Sequence, residues 1–265
     1  MKPAAILIDL DGVVFLGGEL IEGSRDAIQQ LREAEIPIRF LTNTTTLSKR
    51  LLVEKLLSLG VEVRPEEIFT PASNASAWMD ADERGRGYRL IGAPALVEDL
   101  GEGALAIDDP QRADWVVIGL HPPSLTHDNL SVALRDLRGG ARLIALHVNR
   151  TWVRPHGLDI GLGAFVKALE YASEKGPTVI AGKPSPMFFE AARLSLPPTL
   201  HDDERIWMVG DTLDSDVGAA QSLGLRGALV MSGKTDAERL RRGDVRPDQV
   251  SKDLAAFVRF AINLG

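Results

Sequence analysis

The chain has 265 residues, 45% of them hydrophobic, which is enough to form a sizeable core in one or two domains. Its formal net charge of -7 argues against a nucleic-acid surface or a basic membrane patch, and its apolar runs are too short to span a bilayer. It has no cysteine, which excludes disulfides and thiolate metal sites. We therefore expect a cytoplasmic protein without nucleic-acid or membrane partners.

An apolar run near the start of the chain ends in two closely spaced carboxylates. Residues 4–8 predict a buried strand of a parallel sheet, and Asp9 and Asp11 follow it on either side of Leu10. Because side chains alternate along a strand, both carboxylates leave from the same side. Two buried like charges are costly unless a cation lies between them, and carboxylate and carbonyl oxygens suit Mg²⁺. The alternative is that both residues simply cap a turn.

The following segments alternate between strands and helices. Gly17 and Gly18 separate two short apolar runs, a pattern typical of a hairpin. Ser24 and Ser48 are each expected to cap a helix, and the apolar residues 36–41 between these helices predict a second strand. Strands and helices that alternate at this spacing indicate βαβ units and a parallel sheet.

The pattern restarts from about Pro71, which indicates a second α/β domain inserted into the first. Its predicted strands are residues 88–91, 115–118 and 143–146. The last third of the chain is predicted to hold strands at residues 178–181, 205–209 and 228–231. Ser251 is expected to cap a C-terminal helix whose apolar residues recur every four positions. We place the first domain at residues 1–72 and 180–265, and the inserted domain at residues 73–179.

Polar residues follow four of the predicted strands. They are Asp9 and Asp11, Thr42 and Asn43, Lys183, and Asp211. In open parallel sheets ligands bind beyond the carboxyl ends of the strands, so we expect these residues to converge on one crevice. Carboxylates, a hydroxyl, an amide and an ammonium suit phosphoryl transfer, because that chemistry depends on positioning and charge neutralisation.

These residues lie in four short motifs, which are DLDGV at 9–13, LTN at 41–43, GKPSP at 182–186 and GDTLDSD at 210–216. With them the chain resembles the haloacid dehalogenase (HAD) superfamily of aspartyl phosphatases. The insertion between the second and third motifs resembles the type IIA cap of NagD-like and p-nitrophenyl phosphatase-like enzymes. Residues 158–163 and 168–172 look closest to the phospholysine phosphohistidine inorganic pyrophosphate phosphatase branch. The resemblance implies an α/β fold, with a Rossmann-like parallel-sheet core and an inserted α/β cap domain.

The resemblance also implies roles for the acidic residues. Asp9 is expected to be the nucleophile that attacks phosphorus and forms an aspartyl-phosphate. Asp11 is expected to be the general acid and then the general base, and to offer its backbone carbonyl to Mg²⁺. Asp9, Asp11 and Asp211 are the expected metal ligands. Asp216 either supports the metal site indirectly or is a plain helix-surface acid, and Asp214 is expected at the surface.

The remaining motif residues are expected to bind the substrate phosphate. Thr42 and Asn43 would hydrogen-bond phosphoryl oxygens, although Thr44, Thr45 and Thr46 are nearby rivals for the role of Thr42. Lys183 would neutralise the phosphoryl charge and hold the nucleophile in place.

The implied function is a Mg²⁺-dependent phosphatase of small phosphorylated metabolites, with pyrophosphate and phosphoramide bonds as further candidates. Residues 149–156 of the insertion lie where relatives read the leaving group, and Trp152, Arg154 and His156 are candidate specificity residues. The alternative is an ordinary loop with one packed aromatic. A homodimer formed through the cap is also implied by the resemblance.

Three other functions remain to be weighed. Gly233, Lys234 and Thr235 look like the end of a P-loop of nucleotide hydrolases, but the gap from Gly227 is one residue too long and contains a predicted strand. A phospho-accepting receiver module also joins acidic residues, a Thr and a Lys, but in a different order along a shorter chain. A binding protein that kept the fold and lost turnover is the third alternative, and the full acidic set argues against it.

Overall fold

The computed structural model describes residues 2–83, 85–154, 157–177, 179–201 and 203–264, without the side chains of residues 153 and 154. The chain forms two compact units, each made of discontinuous segments. The first unit comprises Met1–Thr42, Val53–Phe69 and Lys183–Gly265, and the second comprises Asn43–Leu52 and Thr70–Gly182.

Strands and helices alternate along most of the chain. The strands are β1 (Ala5–Asp9), β2 (Phe15–Leu16), β3 (Glu19–Leu20), β4 (Ile38–Leu41), β5 (Ile68–Phe69), β6 (Tyr88–Ile91), β7 (Ala104–Leu105), β8 (Trp115–Ile118), β9 (Arg142–Ala145), β10 (Thr151–Arg154), β11 (Gly157–Ile160), β12 (Val179–Ile180), β13 (Ile206–Gly210), β14 (Arg226–Val230) and β15 (Gln249–Ser251). The helices are α1 (Ser24–Glu33), α2 (Lys49–Ser58), α3 (Pro71–Asp80), α4 (Val97–Leu100), α5 (His127–Arg138), α6 (Leu162–Ser173), α7 (Pro186–Leu194), α8 (Ala219–Ser222), α9 (Ala237–Arg242) and α10 (Leu254–Ile262). A π-helical segment, Leu213–Gly218, leads into α8.

The first unit is built on a six-stranded sheet in the order β15-β14-β13-β1-β4-β5. Every neighbouring pair is parallel, which confirms the predicted parallel α/β architecture. All residues of β1 and β13 are buried, as expected for central strands covered on both faces. The carboxyl ends of β4, β1, β13 and β14 therefore lie side by side at one edge of the sheet.

The strand register determines which side chains meet at this edge. Asp9 pairs with Leu41, and Ile8 pairs with Val209. The residues just beyond these pairs include Thr42 and Asp211. Two of the predicted polar segments thus emerge beside the carboxylate of β1.

The predicted hairpin after the first strand is confirmed. Phe15 of β2 pairs with Leu20 of β3, and Gly17 and Gly18 form the turn between them at φ 61° and φ 98°. Both angles lie in the left-handed region that suits glycine, and two such residues in a row produce the tight turns preferred by hairpins.

Two predicted helix caps are wrong. Helix α1 is preceded by Gly23 at φ 77°, while Ser24 is buried and its hydroxyl donates to the backbone oxygen of Val13. Helix α10 is capped by Asp253, whereas Ser251 ends β15. The Ser24 hydroxyl is engaged by Val13, and Ser251 belongs to a strand that pairs with β14. In both cases a tertiary contact overrides the local capping preference.

The second unit has its own parallel sheet in the order β12-β9-β8-β6-β7, and a separate hairpin of β10 and β11. The predicted strands at 88–91 and 115–118 match β6 and β8. The short strand predicted at 178–181 is β12, which pairs with β9 in this unit. Across the described ranges, no helix combines the length and apolar character needed to cross a membrane.

Candidate active site

Asp9 is the last residue of β1 and is held firmly at the edge of the sheet. The residue is 4% exposed, and its Oδ1 accepts a hydrogen bond from the backbone N–H of Leu10 at 2.7 Å. Gly12 then turns the chain at φ 83°, and its N–H donates to the backbone oxygen of Phe15. The sharp turn keeps Asp9 and Asp11 at the carboxyl end of β1.

Three buried carboxylates converge beside this turn. One oxygen from each of Asp9, Asp211 and Asp216 lies within 4.8 Å of the other two. Such close like charges destabilise one another in a buried place, so the group is suited to a hard divalent cation that prefers oxygen ligands. The structure thus brings together two of the three predicted metal ligands and adds Asp216, while the proposed carbonyl contact from Asp11 stays a prediction.

Lys183 lies against two of these three carboxylates. Its side chain is 2% exposed, and its Nζ lies 2.7 Å from Asp9 Oδ1 and 2.7 Å from Asp216 Oδ1. A buried ammonium that contacts two carboxylates fixes their relative positions and offsets part of their charge. Lys183 therefore contacts the proposed nucleophile, as the third motif implied.

Asp211 follows β13 and is completely enclosed. The Thr212 hydroxyl donates to its Oδ1 at 2.8 Å, and the backbone N–H of Lys234 donates to its Oδ2 at 2.8 Å. Gly12 and Gly233 flank the carboxylate, and a Cβ at either position would overlap Oδ2. Small residues on both sides thus allow the backbone to close around this oxygen.

Asp216 is buried within the π-helical segment, so its interpretation as a plain surface acid is wrong. The N–H of Thr212 donates to its Oδ2 at 3.0 Å, and a Cβ at Gly210 would overlap the carboxylate. Asp214 lies in the same segment but is exposed and forms an ion pair with Arg239, as expected for a surface residue. The two acids of this motif therefore have different environments.

The electrostatic surroundings shift several pKa values. Burial raises the pKa of Asp9 to about 7, although Lys183 acts against this shift. Burial also raises the pKa of Asp11, with Lys234 acting in the opposite direction. Burial by itself would lower the pKa of Lys183, but Asp216 and Asp9 outweigh it and raise the pKa. An acid with a raised pKa at position 11 suits a group that must hold a proton near neutral pH.

The second motif emerges from β4, which neighbours β1. Thr42 is buried, and its N–H donates to the backbone oxygen of Phe69 at 3.2 Å. Asn43 is the first residue of the second unit, where its side-chain oxygen lies so close to Gly182 that a Cβ there would overlap it. The phosphate-binding roles of Thr42 and Asn43 stay predictions.

Sequence reasoning missed the loop that follows β14. The sequence analysis considered Lys234 only as part of a P-loop pattern. That alternative is wrong, because Gly227 lies inside β14 and not in a phosphate loop. The structure instead places Lys234 against Asp211, with its Nζ 3.5 Å from Asp211 Oδ1. The missed signal was positional, since Lys234 also follows the carboxyl end of a parallel strand.

The candidate specificity residues of the insertion are only partly described. Residues 151–154 form β10 of a hairpin, so their prediction as part of a loop is wrong. Trp152 is partly buried and packs against the core of the second unit. The side chain of Arg154 and all of His156 lie outside the described residues.

Comparisons with known proteins identify the family of this chain. A family model for haloacid dehalogenase-like hydrolases matches residues 6–105, and a second model, for HAD-hydrolase-like proteins, matches residues 180–257. The sugar-phosphatase AraL of Bacillus subtilis is 34% identical over 265 residues, which cover 99% of this chain and 96% of that protein.

Solved phosphatase structures have a closely similar fold. A p-nitrophenyl phosphatase from Archaeoglobus fulgidus has a TM-score of 0.89 and 28% identity, covering 98% of this chain and 100% of that chain. The glycerol phosphate phosphatase of Mycobacterium tuberculosis in complex with magnesium has a TM-score of 0.83 and 28% identity, covering 97% of this chain and 78% of that chain. The same enzyme has been solved with calcium. This chain belongs to the haloacid dehalogenase-like hydrolases, in their NagD-like type IIA group, and is a phosphoric monoester hydrolase.

Proposed function

We propose that this chain is a Mg²⁺-dependent phosphatase that hydrolyses small phosphorylated metabolites through an aspartyl-phosphate on Asp9. The observation that carries the proposal is the buried ammonium of Lys183, which lies 2.7 Å from both Asp9 and Asp216 beside Asp211. The proposed nucleophile, a candidate cation site and a counter-charge for phosphate thus lie close together.

Asp9 attacks the phosphorus atom and displaces the leaving oxygen. The N–H of Leu10 and the ammonium of Lys183 both contact Asp9 Oδ1, so the carboxylate is held in one orientation before the substrate arrives. The attack forms a bond between a carboxylate oxygen and phosphorus as the ester bond breaks. Water then hydrolyses the aspartyl-phosphate and regenerates Asp9.

Asp11 moves the protons in both steps. It gives a proton to the leaving oxygen in the first step, and it takes a proton from the attacking water in the second. Burial raises its pKa, which favours the protonated form needed first.

The donor set fits a divalent cation held by Asp9, Asp211, Asp216 and the backbone carbonyl of Asp11. When bound, Mg²⁺ keeps the carboxylates ionised and neutralises charge that develops on the phosphoryl oxygens. Lys183 adds a positive charge from the protein itself, and Thr42 and Asn43 donate hydrogen bonds to phosphoryl oxygens. Magnesium and calcium complexes of a relative support this choice of ion class.

Sugar phosphates are the first substrates to test, because a relative similar over nearly the whole chain is a sugar phosphatase. Phospholysine and pyrophosphate follow from the branch that residues 158–163 resemble. We assign residues 73–179 to a cap that selects the substrate. The homodimer and the cytoplasmic location belong to the same proposal.

The test is phosphate release from sugar phosphates, nucleotides, pyridoxal phosphate, pyrophosphate and phospholysine, with Mg²⁺ and with a chelator. Asp9→Asn should abolish turnover of every substrate, whereas Asp214→Asn, a change at an exposed acid of the fourth motif, should not. Acid-quenched wild-type enzyme should carry a phosphoryl group on the peptide that contains Asp9. Turnover that persists in Asp9→Asn, or that ignores the chelator, would contradict the mechanism.

A further inference from the structure

The loop after β14 holds Asp211 through its backbone. The Lys234 N–H donates to Asp211 Oδ2 at 2.8 Å, and the Thr235 N–H donates to the backbone oxygen of Asp211 at 3.2 Å. Gly233 packs against the same carboxylate. These contacts involve backbone atoms, so they remain available whatever side chain residue 234 carries.

The side chain of Lys234 has a separate relation to Asp211. With Oδ2 enclosed by Gly12, Gly233 and the Lys234 N–H, Oδ1 is the oxygen that the ammonium of Lys234 approaches, at 3.5 Å. The Lys234 side chain is 44% exposed, while that of Asp211 is fully buried. The ammonium thus reaches a buried carboxylate from a partly solvated position.

Without Lys234, the carboxylate of Asp211 would have no positively charged side chain of its own among the described residues. Asp9, Asp211 and Asp216 are three buried carboxylates, and Lys183 is the buried ammonium that contacts two of them. Lys234 supplies a positive charge to the third, Asp211. A divalent cation bound by the same carboxylates would repel this ammonium, since both positive charges would lie beside Asp211 and Lys234 is only partly solvated.

We propose that Lys234 is a built-in counter-cation of Asp211, which neutralises this carboxylate in the metal-free protein and moves toward solvent when Mg²⁺ binds. The flexible four-carbon stem and its partial exposure give the ammonium room to leave. Lys234 thereby stabilises the metal-free protein and weakens its affinity for the cation. The inference rests on the proposed function only in taking the acidic group to be the Mg²⁺ site.

Calorimetric titration of Mg²⁺ into chelator-treated protein tests this directly. K234M should bind Mg²⁺ roughly tenfold more tightly than the wild type because a repelling charge is gone. K234R, which keeps the charge, should stay within about twofold of the wild-type Kd. K2M makes the same charge change just before the amino end of β1, where exposed Lys2 donates to the backbone oxygen of Ala34. This control variant should leave the Kd for Mg²⁺ unchanged.

Thermal unfolding gives a second readout that does not depend on activity. Metal-free K234M should melt below the metal-free wild type, and saturating Mg²⁺ should close this gap. K234Q repeats the charge removal with a polar side chain if K234M folds poorly. An unchanged or weaker affinity in K234M and K234Q would overturn the role of Lys234 and leave the metal site standing. A wild type that binds no Mg²⁺ would overturn the metal site and this inference together.

Discussion

Each unit buries a group of charged side chains, and the two groups differ in their charge balance. In the second unit, Arg89 pairs with Asp136, and the other N–H groups of its guanidinium donate to backbone oxygens, including those of Ala106 and Gln111. One positive and one negative charge cancel here. This pair needs nothing from outside the protein.

In the first unit, the charges of the buried side chains do not cancel. In the metal-free protein the partly exposed Lys234 offsets one negative charge at Asp211, as proposed above. Among the fully enclosed groups, Asp9, Asp211 and Asp216 contribute three formal negative charges and Lys183 contributes one positive charge, so an excess of two negative charges remains. That excess equals the charge of one divalent cation. The comparison teaches that the charge balance of a buried group, more than its burial, distinguishes a structural ion pair from a candidate cation site.

Removing the ammonium from the unbalanced group should have the largest effect. Lys183→Met leaves Asp9 and Asp216 without their shared partner, and kcat on an aryl phosphate at saturating Mg²⁺ should fall roughly 10³-fold or more. Lys167→Met, at an exposed residue of α6, is the matched control and should retain wild-type kcat. A loss below tenfold in Lys183→Met would show that this charge is dispensable.

Breaking the balanced pair should cost stability instead of chemistry. Arg89→Met leaves Asp136 buried without its partner, and the free energy of unfolding in urea should fall by about 3–5 kcal/mol. Arg89→Met combined with Asp136→Leu should recover most of this loss, because an apolar pair can replace a buried ion pair. A double variant no more stable than the single one would contradict the assignment of a simple structural pair.

Metal removal should affect only the unbalanced group. Mg²⁺ at about 100 times its Kd should raise the free energy of unfolding by about 2.7 kcal/mol, and a chelator should reverse this. Asp211→Asn should lose most of the stabilisation, whereas the Arg89→Met and Asp136→Leu double variant should keep it. Equal stabilisation of the wild type and Asp211→Asn would place the cation elsewhere.

A third buried charge sharpens the comparison at low pH. Burial acts to raise the pKa of Glu67, but hydrogen bonds from Arg32 and Arg64 outweigh it and hold the pKa at about 2. Because the folded pKa lies below the ordinary 4.5, the stabilisation is complete above about pH 4.5 and disappears toward pH 2. Glu67→Gln should therefore remove about 2 kcal/mol of acid-dependent stability over this range.

Urea unfolding at several pH values from about 2 to about 6 measures this effect, because this range contains both the folded and the ordinary pKa of Glu67. Glu66→Gln changes the neighbouring exposed carboxylate and should leave the pH dependence of the wild type intact. The same pH dependence in Glu67→Gln and the wild type would mean that the two arginines do not stabilise the ionised form.

Much of the catalytic edge could be predicted from local patterns. The apolar runs of β1, β8 and β13 are nearly continuous, so they identify buried parallel strands, and polar residues directly after such strands mark the ligand-binding edge. The positions of Asp9 and Lys183 in the motifs led to the contact that the structure contains.

The features that the sequence did not predict depend on contacts between residues that are distant in sequence. Ser24 has the residue type of a helix cap, but its hydroxyl bonds to Val13, eleven residues away. Asp216 has the sequence context of an ordinary helix acid, but its carboxylate is buried against Lys183, which is distant in sequence. Lys234 joins the site because β14 lies beside β13, and sequence patterns alone do not determine strand order.

The two glycines beside Asp211 have a consequence for inherited variation in this enzyme. Neither Gly12 nor Gly233 carries a functional group, yet a methyl group at either position would push aside an oxygen of the acidic group. Alanine substitutions of Gly12 or Gly233 are therefore expected to disable the enzyme, although they change neither the number of metal ligands nor the number of charges. At both positions the geometry of the acidic group depends on a hydrogen atom, where every other amino acid has a carbon.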